Sequence, residues 1–175
     1  LSQLDPADPI DETAQTLLQA AACFAPAEPI PQSLLLSIVI SDSKDVDQLL
    51  LSEDGLHRLM TLGFLERRRE QFAVIHPLIA AFTNETVTTS KTPVVVEKAL
   101  IQFMYRQMGQ VGYTGILPIS IIHLRHITDN AFKRGAQDTY RLGLLLGAHA
   151  REIGELTEAR DYLQKTSVAA TAFND

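Results

Sequence analysis

Between Gly63 and Pro77 the apolar pattern stops repeating at helical spacing and becomes two short β-prone runs. These are Phe64-Leu65-Glu66-Arg67 and Phe72-Ala73-Val74-Ile75, set around the polar stretch Arg68-Arg69-Glu70-Gln71. Two such runs joined by a few polar residues read as a hairpin. Almost everything else in the chain carries the helical period, so the fold class is mainly α with one small β-hairpin set among helices.

The signals before the hairpin predict three helices. Asp8 followed by Pro9 is a start signal, an acceptor for free N–H groups and then a residue that has no N–H to lose. Ile10, Ala14, Leu17, Leu18, Ala21 and Ala22 come next at helical spacing, and Pro26-Ala27-Glu28-Pro29-Ile30-Pro31 reads as a stiff connector. A second helix is expected over residues 32–40 and a short turn of helix over residues 45–51. Ser52 is then read as the cap of a third helix, residues 53–62, ended by Gly63 as its left-handed residue. After the hairpin, Pro77 opens a helix over residues 78–83 or further. Helix, helix, helix, hairpin, helix is the order of a winged helix.

Charge separates residues 1–88 from the rest of the chain. They hold five Lys/Arg and thirteen Asp/Glu, a formal −8; residues 89–175 hold ten and eight, a formal +2, which together give the chain its −6. The polar stretch Thr88-Thr89-Ser90-Lys91-Thr92-Pro93 marks the expected linker, giving a winged-helix domain over 1–88 and a helical domain over 89–175.

In the second domain helices are expected over residues 94–109, 118–132, 136–153 and 155–172, with Gly109, Gly112 and Gly115 breaking the first and Lys133-Arg134-Gly135 closing the second. Leu146, Gly147, Ala150, Gly154, Ala159 and Leu163 stand at spacings that resemble a tetratricopeptide repeat. The small residues would let two antiparallel helices approach, Gly154 would make the turn, and Leu146 and Leu163 would fill the seam. A generic helical hairpin is the plainer alternative, and residues 93–135 match the repeat poorly. The expectation is an antiparallel, TPR-like array that receives a protein or peptide ligand.

A family resemblance enters through "LLQAAACFAPAEPIPQSLL" and "LHRLMTLGFLERRREQFAVIHPLIAAF". Over residues 12–84 the chain resembles the winged helix that comes after the nucleotide-binding domain of STAND and NB-ARC signalling ATPases. That family has a Met-His-Asp-like motif at the strand-to-helix junction, and its histidine contacts the β-phosphate of ADP in the resting state. Ile75, His76 and Pro77 occupy those positions; only the histidine matches. The resemblance implies that His76 senses the ADP phosphate, and that ADP or ATP with Mg²⁺ binds only with an upstream nucleotide-binding domain. The residues say the same in outline: His76 lies before a helix N-terminus, where free N–H groups and the dipole favour an anion. A histidine that merely caps the turn is the plainer alternative.

Several activities are not expected. The chain carries no Gly-x-x-x-x-Gly-Lys-Ser/Thr loop and no recognisable nucleophile or acid–base pair, so no catalytic activity of its own is expected. Sequence-specific DNA binding conflicts with the −8 of the first domain, and residues 53–62 offer only His57 and Arg58 beside Glu53 and Asp54. Arg67-Arg68-Arg69, flanked by Glu66 and Glu70, reads as a solvated turn. His123, His126 and Asp129 stand at metal-ligand spacing without a completing shell, so no metal is expected there, and His149 is read as a packed or solvated residue. Cys23, the single cysteine, is expected to be a small buried hydrophobe in a reducing, cytoplasmic setting. The apolar runs are well short of the ~20 residues of a membrane span, so no membrane partner is expected. The missing initiator Met and the ending Thr171-Ala172-Phe173-Asn174-Asp175 suggest a fragment of a longer protein. A free-standing TPR-like adaptor without any nucleotide role is the alternative function.

Overall fold

Asp8 starts the first helix as its two residue types predict. Its Oδ1 accepts from the N–H of Ile10 at 2.8 Å and of Asp11 at 3.3 Å, and Pro9 occupies the first helical position. The computed structural model describes residues 3–40, 45–86 and 91–172. Among them the order is α1 (Pro9–Ala22), β1 (Ile30–Pro31), α2 (Gln32–Leu36), α3 (Val46–Thr61), β2 (Leu65–Arg68), β3 (Phe72–Ile75), α4 (Pro77–Thr86), α5 (Thr92–Val111), α6 (Pro118–Arg134), α7 (Thr139–Glu152) and α8 (Leu156–Ala172). The chain is mainly helical with one small antiparallel sheet, and it divides into two compact units, Leu1–Val96 and Glu97–Asp175. The division falls inside α5; of the expected linker at residues 88–93, residues 88–90 lie outside the described residues and Thr92 and Pro93 belong to α5, and the closing residues 173–175 also lie outside the described residues. No helix among the described residues is long and apolar enough to cross a membrane.

In the first unit the helices bury one face each. Leu17, Leu18 and Ala21 of α1, Leu34 and Leu35 of α2, and Leu59 of α3 are fully buried, with Ile75 of β3. The α1 and α3 backbones approach closely at Gly55, where a Cβ would lie 3.0 Å from Thr13 Cγ2. Beside that contact Arg58 Nε donates to Asp11 Oδ1 at 2.8 Å.

Three local expectations are corrected. The short turn and the third helix are one continuous α3, capped by Asp45, whose Oδ1 accepts from Gln48 N–H at 3.1 Å. Ser52 is therefore no cap: it is buried in mid-helix and its hydroxyl donates to Gln48 C=O at 2.6 Å, the back-bonding that lets a serine sit inside a helix. The second helix ends at Leu36 instead of residue 40. The connector does more than connect, because Ile30 and Pro31 pair with Ala73 and Phe72, making a three-stranded sheet of order β1-β3-β2. Gly63 does terminate α3: at φ 73° it lets its own N–H reach Met60 C=O and the Phe64 N–H reach Leu59 C=O.

In the second unit α5 continues through Gly109, which does not break it. Gly135 closes α6 at φ 61°, with Lys133 and Arg134 in the last turn. The pair α7–α8 is an antiparallel hairpin turned at Gly154, φ 86°, and packed through small residues. Cys23 is only partly buried, at the C-cap of α1.

Candidate functional site

His76 connects the last strand of the wing to α4. Its carbonyl accepts from Ala80 N–H at 3.0 Å and its Nδ1 accepts from Leu78 N–H at 3.2 Å, so the residue caps α4. With Nδ1 serving as acceptor, the neutral ring carries its proton on Nε2. The side chain is exposed.

The ring lines a cleft of about 780 Å³. One wall is the end of α3 and the turn after it, with His57, Met60, Thr61 and Phe64; the other is the wing, with Glu66, Arg67 and Arg68 of β2 and Val74 and Ile75 of β3. The register Leu65↔Ile75 and Arg67↔Ala73 fixes how far the arginines stand from His76 along the sheet. Arg68 Nε is 3.4 Å from Glu66 Oε1, with both side chains well exposed. Ala27 closes one end in a left-handed conformation, φ 63°, and its N–H donates to Ile75 C=O at 3.3 Å. A cleft with an apolar interior, two imidazoles and two guanidiniums at its edges is suited to an anion carried on a less polar body.

Sequence reasoning singled out His76 and missed its neighbours. His57 appeared only as a residue of the helix that would enter DNA, and Arg67 and Arg68 as a solvated turn. Nothing in their spacing brings them to His76; the strand register and the end of α3 do that, and both are tertiary.

The residues assigned to repeat packing come together in the second unit. Leu146, Ala150 and Ala159 are buried. A Cβ on Gly147 would lie 2.7 Å from Leu163 Cγ and 3.5 Å from Ala159 C=O, so α8 crosses α7 at that glycine. Leu163 covers Gly147 from the edge and stays 37% exposed, while Tyr162 is the buried aromatic beside it. At Gly143, one turn earlier, a Cβ would run into Thr166 Oγ1 and come within 3.2 Å of Phe132.

Polar contacts join α6 to α8. Arg125 forms a two-point ion pair with Glu158, at 2.5 and 2.8 Å. The Tyr162 hydroxyl donates to Asp129 Oδ1 at 3.1 Å, and burial, then the Asp129 charge, push its pKa upward. Of these residues Asp129 also lines a groove of about 1150 Å³, walled by Phe132, Lys133, Thr139, Asp161, Lys165 and Val168.

The remaining histidines are accounted for locally. His123 is fully buried, His126 hydrogen-bonds Asn130 at 3.0 Å, and His149 Nδ1 meets Tyr113 C=O at 3.1 Å. Burial, then the nearby Lys133, lowers the pKa of His126. Asp129 faces Tyr162, and no group of three potential metal ligands occurs among the described residues.

No protein family matches the chain, no curated protein is similar to it, and no solved structure matches it.

Proposed function

We propose that this chain is the regulatory and scaffold region of a STAND-type signalling ATPase, without catalytic activity of its own. In this reading the first unit stabilises the ADP-bound resting state through His76, and the helical array of the second unit receives a protein or peptide signal. Nucleotide and Mg²⁺ are held by a nucleotide-binding domain, with His76 Nε2–H donating to a phosphate oxygen. Loss of that hydrogen bond shifts the population toward the active arrangement.

The single observation that carries the reading is the bond from Leu78 N–H to His76 Nδ1, which leaves an exposed Nε2–H as a fixed donor at the mouth of a cationic cleft. The groove walled by residues of α6, α7 and α8 supports the signal-receiving half. It would serve equally in the adaptor alternative, in which peptide binding is the whole function.

The two readings separate at the nucleotide. The coding sequence upstream of Leu1 must encode a P-loop domain for the first to hold. In the protein carrying both parts, His76→Ala is expected to weaken ADP retention about tenfold or more and to raise basal activity. Unchanged ADP affinity with unchanged basal activity removes the sensor role and leaves the adaptor.

A further inference from the structure

The two turns that α3 gains at its start give it an unusual solvent face. At ~100° per residue, Val46, Leu50 and His57 point away from Ser52, Gly55 and Leu59, which form the buried side. A surface helix ordinarily places polar residues opposite its core. Here Val46 is 63% and Leu50 54% exposed, and Leu49 widens the apolar strip at 36%. Asp47 and Asp54 border the strip along one side, and Glu53 follows it on the next turn. All three carboxylates are exposed and form no ion pair among the described residues. Asp45 is committed to the cap, and Arg58, the one Lys/Arg of the helix, is taken up by Asp11.

We propose that this face of α3 is a docking surface for a cationic amphipathic helix of a protein partner. Val46, Leu49 and Leu50 stand at i, i+3 and i+4, a ridge that packs against apolar residues at the same spacing on another helix. Lys or Arg side chains flanking the partner's apolar strip then meet Asp47, Glu53 and Asp54. Charge complementarity selects this occupant. An anionic lipid surface or a nucleic-acid backbone would meet unpaired carboxylates, on a unit whose residues 1–88 carry a formal −8. A second copy joined through a two-fold contact would set the same carboxylates against one another. Val46, Leu49 and Leu50 take no part in the cleft at His76, so this surface stands whether or not the nucleotide reading does.

The test titrates the 175-residue chain with a model helical peptide whose apolar face is Leu and whose polar face is Lys, and with its counterpart in which Glu replaces Lys. Amide shifts of α3 report the binding. Saturable binding of the Leu/Lys helix is expected, weakened by salt, with the Leu/Glu helix about tenfold weaker or more. Val46→Ser with Leu50→Ser should weaken the Leu/Lys helix about tenfold, the loss from half-burying two aliphatic side chains. Asp47→Asn with Asp54→Asn should weaken it about threefold, as expected of rim charges. These four side chains are exposed, so the variants keep the fold. Two control pairs should change nothing: Leu78→Ser with Leu156→Ser removes other exposed leucines, and Glu12→Gln with Glu85→Gln removes as much charge elsewhere. Equal effects of the control and α3 pairs, or equal affinity for the Leu/Glu helix, overturns the proposal. So does self-association in sedimentation that Val46→Ser with Leu50→Ser abolishes, which assigns the face to a second copy. Tighter binding to phosphatidylserine-containing vesicles through the same two residues overturns it in favour of a lipid surface.

Discussion

Leu78 donates its backbone N–H to Nδ1 of His76 at 3.2 Å, so one imidazole both caps α4 and is held in a single tautomer. The two roles separate by substitution. His76→Ala loses the cap and is expected to destabilise the chain by about 1 kcal/mol in urea denaturation. His76→Asn keeps a capping acceptor and should restore most of that stability without restoring the Nε2 donor. If Asn also restores ADP retention, the histidine acts only through the helix it caps.

Arg58 and Asp11 set an acid limit on the first unit. The Arg58 hydrogen bond, then the Asp5 N–H, holds the Asp11 carboxyl below its ordinary value of 3.8. A carboxyl depressed on folding contributes stability above its unfolded pKa, and that contribution is lost as pH falls through the folded value. Asp11→Asn should therefore flatten the stability curve below about pH 4. An unaltered acid limb would show that the pair adds nothing.

Glu97 has the opposite sign. It is 1% exposed, it pairs with Arg134 through Oε1, and its Oε2 has no hydrogen-bond partner among the described residues. Burial raises its pKa; Arg134 opposes this and Asp138 adds to it. A raised carboxyl favours the folded state at low pH and costs stability as pH rises from the ordinary 4.5 through the folded value. Glu97→Gln should remove that loss. Arg134→Ala leaves the carboxylate uncompensated and is expected to cost about 2 kcal/mol at pH 7, less than a fully buried pair would because Arg134 is partly exposed. The double variant should recover part of it, and additive single effects would refute the coupling.

The two glycines of α7 should tolerate alanine unequally. A Cβ at Gly147 would lie 2.7 Å from Cγ and 2.8 Å from Cδ2 of Leu163, a side chain that is 37% exposed and so has solvent on one side to shift into. A Cβ at Gly143 meets Thr166, which is buried and whose hydroxyl is bonded to Tyr162 C=O at 2.6 Å. Gly147→Ala is expected within about 1 kcal/mol of the parent, helped by helix propensity, and Gly143→Ala to cost about 2 kcal/mol. Thr166→Ala should rescue the latter, as thermal denaturation of the double variant will show.

Ala27 and Arg69 occupy left-handed backbone conformations, at φ 63° and 52°. Glycine at either position should stabilise the chain by roughly 0.5 to 1 kcal/mol, since the Cβ penalty there exceeds the entropy glycine adds to the unfolded chain. Ala27→Gly with lower stability in urea would mean that its methyl packs more usefully than its strain costs.

Much of this architecture could be read from particular residues. Asp8-Pro9, Gly63, Pro77 and Gly135 mark element ends because their chemistry acts within one or two positions. Ser52 misled because a hydroxyl before Glu53 and Asp54 looks like a cap, and only the continuing backbone decides that it bonds backwards to Gln48. The β1 pairing was hidden because a two-residue strand has no period to detect. His76 was legible by its position before Pro77. The other side chains of its cleft were not, because they arrive from α3 and across the β2–β3 register.

Gly143 and Gly147 lie one turn apart, and each faces one side chain of α8, Thr166 and Leu163. Sliding α8 by one position would remove Thr166 and Leu163 from those hollows and bring other side chains against bare backbone. The hairpin is thereby keyed like a lock with two notches. Its two helices have one alignment in which both notches are filled, so any displacement of one helix along its axis has to carry the other with it.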